Sequence, residues 1–213
     1  MTGKTRIPRS SEALPGEGAH CSAGGSGQDP ASVPKAALRK RLLAWRRALD
    51  PAEKARWDAQ LCDKLCELHG ATGIDEIAVY MALPGEPDLS AAYAELAARG
   101  VRLYLPVVTT RDAALDFAAW TPGEAMHTDS MGMAVPRALR LGTAPRTLII
   151  PCLGWNRALF RLGYGGGYYD RTLAAARSRP LAVGVGYSQM EEAFPVEDHD
   201  IALDLLITER DIM

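Results

Sequence analysis

The sequence has few features that would indicate a membrane, a polyanionic partner or an oxidising compartment. Its 213 residues contain no apolar run long enough to span a bilayer, and the formal net charge is only −2. The four cysteines, Cys21, Cys62, Cys66 and Cys152, do not form the dense pattern of a disulfide framework. We therefore expect a cytoplasmic protein that binds neither membranes nor nucleic acids.

The first 33 residues also lack apolar periodicity. They are rich in glycine, serine and proline, and they have no apolar core of the kind found in a secretory signal. We predict a disordered N-terminal extension over residues 1–33 and one folded domain over residues 34–213. Nor does the chain offer a serine, histidine and aspartate, or a cysteine and histidine, in a pattern typical of nucleophilic catalysis.

What the sequence does contain is an alternation of apolar strands and helices. Residues 77–83 and 101–108 are predicted strands, and the helix between them ends at Gly100. Residues 147–155 and 181–187 are further buried strands, and 115–120 resembles an edge strand. This order predicts a single α/β domain with a mostly parallel sheet flanked by helices, whose ligands gather beyond the carboxyl ends of the strands.

Two helices are predicted before the first strand. In the first, an apolar stripe formed by Leu38, Leu42, Trp45 and Leu49 faces the core. The opposite face is basic, and we expect most of it to be solvated: Lys35, Arg39, Lys40, Arg41, Arg46 and Arg47. The second helix begins at Asp50, which has the features of an N-cap before a first-turn proline. The long connection 121–146 is a candidate lid.

The segment 161–171, RLGYGGGYYDR, is the strongest candidate for a functional site. Glycines at 163, 165, 166 and 167, followed by a helix start, predict a loop whose backbone N–H groups turn toward a phosphate. The match to a dinucleotide fingerprint or a Walker A loop is poor, because tyrosines stand at 168 and 169. A mobile surface loop is the alternative. Arginines at both ends and Asp170 favour phosphate and a divalent cation.

The whole string resembles the signature of the 5-formyltetrahydrofolate cyclo-ligases, roughly Arg-Leu-Gly-x-Gly-x-Gly-Tyr-Tyr-Asp. The similarity runs from residue 35 to about 208. It implies a Rossmann-like domain similar to the NagB/RpiA/CoA-transferase-like fold. It also implies ATP-dependent cyclisation of 5-formyltetrahydrofolate, free or polyglutamylated, to 5,10-methenyltetrahydrofolate with release of ADP and phosphate. We expect the protein to act as a monomer.

The resemblance also implies roles for individual residues. Those expected to bind the nucleotide are Lys35, Arg39, Arg161, Leu162, Gly163, Tyr164, Gly165, Gly166, Gly167, Tyr168 and Tyr169. Those expected to face the folate are Met81, Glu86, Tyr164, Gly165, Gly166, Gly167 and Tyr168. Asp170 and Asp200 would hold Mg²⁺. Arg161, Tyr168 and Asp170 would act in catalysis.

Three positions depart from the family pattern. Leu89 and Val135 stand where threonine and glutamate are common, and Asn156 replaces an Asp-containing pair, which would weaken metal binding or loop anchoring. Other hypotheses are a folate- or nucleotide-binding paralogue without turnover, and an ATP-independent phosphosugar or CoA-type enzyme on a similar fold. An RNA-binding module built on the basic helix 35–47 is a further alternative, which the balanced net charge disfavours.

Overall fold

The computed structural model describes residues 33–129 and 131–213, so the predicted extension lies outside the described residues apart from its last position. Cys21 lies outside them as well. Within these ranges the α-helices are α1 (Lys35–Ala48), α2 (Pro51–Thr72), α3 (Ser90–Ala98) and α4 (Tyr168–Ala175). No helix of the described part combines the length and hydropathy needed to cross a bilayer.

The start of α2 follows the predicted capping pattern. The Asp50 side chain accepts hydrogen bonds from the N–H groups of Ala52 and Glu53, both at 3.0 Å, and Pro51 occupies the first helical turn. Such a cap stabilises a helix by about 1 kcal/mol. At the other end, Gly73 adopts the left-handed conformation and donates its N–H to the carbonyl of His69. The cap and the terminating glycine thus fix both ends of the longest helix.

Seven strands form the main sheet: β1 (Glu76–Ala78), β2 (Arg102–Val107), β3 (Asp116–Trp120), β6 (Leu141–Gly142), β7 (Thr147–Pro151), β10 (Leu181–Val185) and β11 (Leu205–Ile207). Their order in the sheet is β11-β10-β7-β1-β2-β3-β6. The neighbouring strands from β11 to β2 are parallel, whereas β3 and β6 pair antiparallel at one side. The prediction of a mostly parallel sheet flanked by helices in a single α/β domain is confirmed.

Two strands are much shorter than predicted, and the others differ by one or two residues. The ladder of β1 ends at Ala78, with one further bond from the N–H of Val79 to the carbonyl of Tyr104 at 2.8 Å, and the chain then turns toward the site. The predicted strand 147–155 leaves the sheet after Pro151. A hairpin follows, in which β8 (Gly154–Trp155) pairs with β9 (Arg161–Leu162). The glycine loop is therefore fed by this hairpin and not by the buried strand itself.

The connection 121–146 contains a second hairpin, β4 (Met126–Thr128) paired with β5 (Ala134–Pro136). It also supplies β6, which pairs with β3, so β3 is not the outermost strand as predicted. An aspartate at the hairpin tip, Asp129, accepts hydrogen bonds from the N–H groups of Met131 and Met133 at 2.9 and 2.8 Å. The tip thereby holds two methionines at the mouth of the cavity described below.

Helix α1 packs into the core, but the structure corrects one of its predicted faces. Leu38 and Leu42 are buried, as expected. Arg46, which we expected to be solvated, is only 3% exposed, whereas its neighbour Arg47 is exposed. The reason is helical geometry, since Arg46 follows Leu38 and Leu42 at intervals of four and therefore lies on the same face. The buried side of α1 thus brings a positive charge into the core.

Candidate active site

A cavity of about 550 Å³ opens at the carboxyl ends of the parallel strands. Its walls come from α1, the connection after β1, the β4–β5 tip, the glycine loop with the start of α4, and the segment before β11. Every residue that we expected to bind nucleotide, folate or Mg²⁺ on the basis of the family resemblance lines this cavity, whereas Arg171 does not. Folding therefore brings the candidate residues together, although their individual roles stay predictions.

The glycine loop, residues 163–167, depends on conformations that favour glycine. Gly165 and Gly167 have φ of 97° and 64°, in the left-handed region. Arg39 of α1 donates from Nε to the carbonyl of Gly163 at 2.8 Å. A Cβ added at Gly165 would lie 3.4 Å from the Arg39 guanidinium carbon, in direct van der Waals contact. The loop is therefore shaped around this arginine.

On its other side the loop is held by Arg171. Its guanidinium donates to the carbonyl of Gly166 at 2.7 Å and to that of Ala113 at 3.1 Å, and it stacks on the Tyr168 ring with 4.9 Å to the centroid. We expected this arginine to favour phosphate, but in the structure its guanidinium holds the loop. Within residues 33–129 and 131–213, no acceptor engages the N–H groups of residues 163–167. These free donors suit an anion.

Arg161 and Asp170 form an ion pair at the base of the loop. The distance from Arg161 Nη2 to Asp170 Oδ1 is 2.7 Å, and the arginine side chain is only 5% exposed. Arg161 also donates to the carbonyl of Ile201 at 2.9 Å, while Asp170 accepts from the N–H of the same residue at 3.1 Å. The pair consequently fastens the first turn of α4 to the segment before β11.

Lys35 and Asp200 face each other across the same end of the cavity. The Lys35 ammonium lies 2.7 Å from Asp200 Oδ2 and 2.9 Å from Glu197 Oε1. Burial alone would lower the pKa of Lys35, but hydrogen bonds to Asp200 and Glu197 outweigh it and raise that pKa. Burial would raise the pKa of Asp200, and the hydrogen bonds from Lys35 and the Glu197 N–H lower it overall. Both groups are therefore charged at neutral pH.

Asp170 and Asp200 are the candidate metal ligands, and their free oxygens decide whether a cation fits. Each uses one carboxylate oxygen for the contacts above, and in the part of the chain that the structure describes no protein group donates to Asp170 Oδ2 or Asp200 Oδ1. The same part of the chain contains no cluster of three or more potential ligands. Two hard oxygens fit Mg²⁺ that takes its other ligands from phosphate and water.

The opposite end of the cavity is more deeply buried. Glu86, 2% exposed, accepts a hydrogen bond from the Tyr164 hydroxyl to Oε1 at 2.6 Å and another from the N–H of Leu83 to Oε2 at 2.9 Å. Burial and the neighbouring Glu86 raise the pKa of Tyr164, although Arg46 opposes the shift. The hydroxyl therefore remains protonated and donates. Met81 and Tyr80 complete this part of the wall.

A comparison with known families identifies the chain. The sequence model described as the 5-formyltetrahydrofolate cyclo-ligase family matches residues 31–209. The chain belongs to this family. A 5-formyltetrahydrofolate cyclo-ligase of Escherichia coli (strain K12) is 29% identical over 174 residues, which cover 76% of this chain and 93% of the relative. One from Mycolicibacterium smegmatis is 31% identical over 188 residues, covering 82% and 93%.

A solved structure supports the same conclusion for the fold. The 5,10-methenyltetrahydrofolate synthetase of Mycoplasma pneumoniae superposes with a TM-score of 0.71 at 26% identity, covering 83% of this chain and 99% of that chain. The cyclo-ligase family uses ATP. The cavity of this family member therefore contains a glycine loop with neighbouring cationic side chains, and the buried carboxylate of Glu86.

The departures from the cyclo-ligase pattern have structural explanations. Leu89 and Val135 are 1% and 2% exposed and pack in the core, where an apolar side chain is favourable. Asn156 Oδ1 accepts hydrogen bonds from the N–H groups of Ala158 and Phe160 at 3.0 and 3.1 Å, which closes the turn between β8 and β9. A carboxylate could accept the same bonds, so Asn156 retains this anchoring contact, and its expected effect on metal binding stays a prediction.

Sequence reasoning missed several residues of this cyclo-ligase cavity. Tyr80, Met131 and Met133 line it, and Arg46 contacts the hydroxyl of Tyr164 from behind the wall at 3.1 Å. For Arg46 the signal was available, because its spacing from the buried leucines of α1 places it on their face. For the methionines there was no such signal, since their position depends on how the β4–β5 hairpin folds back.

Proposed function

We propose that this protein catalyses the ATP-dependent cyclisation of 5-formyltetrahydrofolate to 5,10-methenyltetrahydrofolate, with release of ADP and phosphate. The observation that carries the proposal is one cavity whose wall combines three features: the glycine loop, whose N–H groups have no acceptor among the described residues, three cationic side chains, and the buried carboxylate of Glu86. Membership of the cyclo-ligase family supports the same reaction.

The chemistry requires activation of a poor leaving group. The formyl oxygen attacks the γ-phosphorus of ATP and ADP departs, so the oxygen leaves later as phosphate and not as hydroxide. N10 then adds to the activated formyl carbon, the carbon–oxygen bond breaks, and N10 loses its proton to solvent or phosphate. Positioning and charge neutralisation contribute most to such a transfer, and no protein nucleophile is required.

At the charged end, residues of the chain would hold the triphosphate. The backbone amides of the glycine loop, residues 163–167, would contact phosphate oxygens. Lys35, Arg39 and Arg161 would neutralise the negative charge of the triphosphate. Leu162 and Tyr169 would shape the same wall. Because Lys35 and Arg161 are already held by carboxylates, they are fixed in place before the nucleotide arrives. Preorganisation of this kind reduces the cost of reaching the transition state.

Mg²⁺ would be held by Asp170 and Asp200, which both line the cavity and each keep one carboxylate oxygen without a protein donor among the described residues. When bound, the ion would neutralise phosphate charge that the side chains leave uncompensated. Arg161 keeps Asp170 oriented, so the two act together in catalysis, and Tyr168 stacks against Arg171 at the edge of the loop. We propose that Arg161, Tyr168 and Asp170 act in catalysis.

At the buried end, Glu86 would accept hydrogen bonds from the N–H groups of the reduced pterin, with Met81, Tyr164 and Tyr168 packing against it. The folate would lie with its formyl group toward the glycines, and its glutamate tail, single or extended, would leave through the cavity mouth. We further propose that the protein is a cytoplasmic monomer. Sedimentation of the purified chain tests the oligomeric state.

The test is product formation by purified protein. With 5-formyltetrahydrofolate, ATP and Mg²⁺, the near-ultraviolet absorbance of the methenyl product should develop, and ADP should accumulate in equal amount. Omission of ATP should abolish both signals. Folded protein that binds the folate but forms no product would instead support a paralogue without turnover. Turnover of a phosphosugar or a CoA ester without ATP would support the alternative of a phosphosugar or CoA-type enzyme.

A further inference from the structure

Arg46 is a buried cation outside the cavity wall. Its guanidinium donates from Nε to the Met190 sulfur at 3.3 Å, from Nη1 to the Tyr164 hydroxyl at 3.1 Å, and from Nη2 to the carbonyl of Cys152. Each nitrogen of the fork therefore has an acceptor. A side chain held at three points in the core has little freedom to move.

The charge on Arg46 has a counterpart in Glu86. Arg46 Nη1 lies 3.9 Å from Glu86 Oε1, and among the described residues this carboxylate is the only ion-pair partner of Arg46. Both side chains are almost fully buried. Because an isolated charge is costly in the core, each of the two requires the other.

Tyr164 connects this pair to the glycine loop. Its hydroxyl accepts a hydrogen bond from Arg46 and donates one to Glu86, while 46% of the residue remains exposed at the cavity. The ring can thus touch a ligand although the hydroxyl is fixed in the core. Hydrogen bonds run from Arg46 to Tyr164 and from Tyr164 to Glu86. Arg46, which does not line the cavity, therefore fixes the positions of two side chains that do.

We infer that Arg46 is a positioning residue for folate binding: it holds the Glu86 carboxylate and the Tyr164 ring in the geometry that receives the pterin. The inference rests on the proposed function. A purely structural role explains the position poorly, since an apolar side chain would pack on the leucine face of α1 without the cost of burying a charge.

The test compares Arg46→Met with Arg47→Met, the same substitution at the adjacent exposed arginine of α1. The measured quantity is the dissociation constant for 5-formyltetrahydrofolate without nucleotide. Loss of a charged hydrogen-bond partner should weaken binding roughly 10- to 100-fold in Arg46→Met. Arg47→Met should bind within about twofold of wild type, as expected for an exposed position.

Two further variants separate positioning from folding. Arg46→Lys keeps the charge without the planar fork, so its affinity should fall between wild type and Arg46→Met. In a double-mutant cycle with Tyr164→Phe, the two losses should be less than additive, because both changes break the same chain of hydrogen bonds. If Arg46→Met does not fold, the folate affinity of Arg46→Lys tests the inference, and weaker binding than wild type is expected.

The inference is overturned if Arg46→Met or Arg46→Lys binds the folate as tightly as wild type, or if the losses in the cycle add. In steady-state kinetics the effect should fall on KM for the folate with kcat nearly unchanged, as for lost ground-state binding. Wild-type protein that does not bind 5-formyltetrahydrofolate would remove the proposed function itself. The two failures are therefore distinguishable.

Discussion

The two ends of the cavity are built in opposite ways. At the charged end, the glycine loop presents backbone N–H groups and is steadied by side chains that stay partly accessible, such as Lys35 and Asp170. At the buried end, Glu86 and Arg46 are almost fully removed from solvent and linked by the Tyr164 hydroxyl. The first end suits a hydrated polyanion, and the second suits an uncharged heterocycle whose N–H groups a carboxylate can accept.

The difference between the two ends shows how the cavity can recognise a polyanion and a pterin by different means. A polyanion needs many donors and positive charges, which a loop and its neighbouring ion pairs supply at the surface. A pterin needs a few fixed acceptors in an apolar wall, which only a packed core can hold in place. Changes at the charged end should therefore alter turnover most, and changes at the buried end should alter folate affinity together with stability.

The largest effect is expected from Asp170. In Asp170→Ala, turnover should fall by about 100-fold or more because the developing phosphate charge loses its organised partners. The free energy of unfolding should also fall by about 3 kcal/mol, since Arg161 is left buried without its carboxylate. Product absorbance and urea denaturation measure the two quantities.

Asp170→Asn separates these two losses, because the amide oxygen can still accept from the N–H of Ile201. Its stability should lie closer to wild type while turnover stays low. Asp198→Asn, at an exposed acid of the segment before β11, is the matched control and should change neither. Wild-type turnover in Asp170→Asn would show that this carboxylate has no part in the reaction.

A pair of tyrosines compares the two ends directly. Tyr164→Phe removes a hydroxyl bonded to two charged groups and should cost about 1.5 to 3 kcal/mol of unfolding free energy. Tyr168→Phe removes a hydroxyl whose recorded contact is the Met131 sulfur at 3.8 Å, so its cost should stay below about 0.5 kcal/mol. Thermal or urea unfolding gives both values. Equal losses would contradict the proposed difference in hydroxyl hydrogen bonding between the two ends.

Gly167 tests the shape of the loop. Gly167→Ala places a Cβ 2.9 Å from Arg171 Nη1 on a residue with φ of 64°. We expect a loss of about 1 to 2 kcal/mol in stability and a higher KM for ATP. Gly70→Ala is the control, because its Cβ meets nothing within 4 Å and its backbone is helical. That variant should be as stable as wild type or up to about 1 kcal/mol more stable.

The smallest effect concerns salt. Raising KCl from about 0.05 M to about 0.5 M should raise KM for ATP several-fold, because the partly exposed charged end is screened. KM for the folate should change less, since the Glu86 end is enclosed by protein and its charges are screened weakly. Steady-state rates at matched pH measure both constants. A folate KM that rises as steeply as that for ATP would remove the distinction between the two ends.

The fold was largely accessible from the sequence because its signals are local. Continuous apolar runs marked the parallel strands, Asp50 and Gly100 marked the beginning of one helix and the end of another, and the glycine string marked the loop. The β8–β9 hairpin was missed because its two-residue strands are too short to show a period.

The buried end of the site was less predictable, since its residues are far apart in the chain. Arg46, Glu86 and Tyr164 meet only after α1, the segment after β1 and the glycine loop have packed together. A basic helix face is usually solvated, and that expectation hid the one arginine that follows the leucine spacing. At Arg46 the residue type predicted exposure to solvent, whereas the position on the helix predicted burial, and the side chain is buried.

The most direct test of a cavity that joins nucleotide phosphate to folate is the fate of the formyl oxygen. Substrate carrying oxygen-18 in the formyl group would be converted with unlabelled ATP, and the released phosphate analysed by mass spectrometry. Direct attack on the γ-phosphorus predicts one labelled oxygen in each phosphate formed. Label recovered in water, with unlabelled phosphate, would contradict the account.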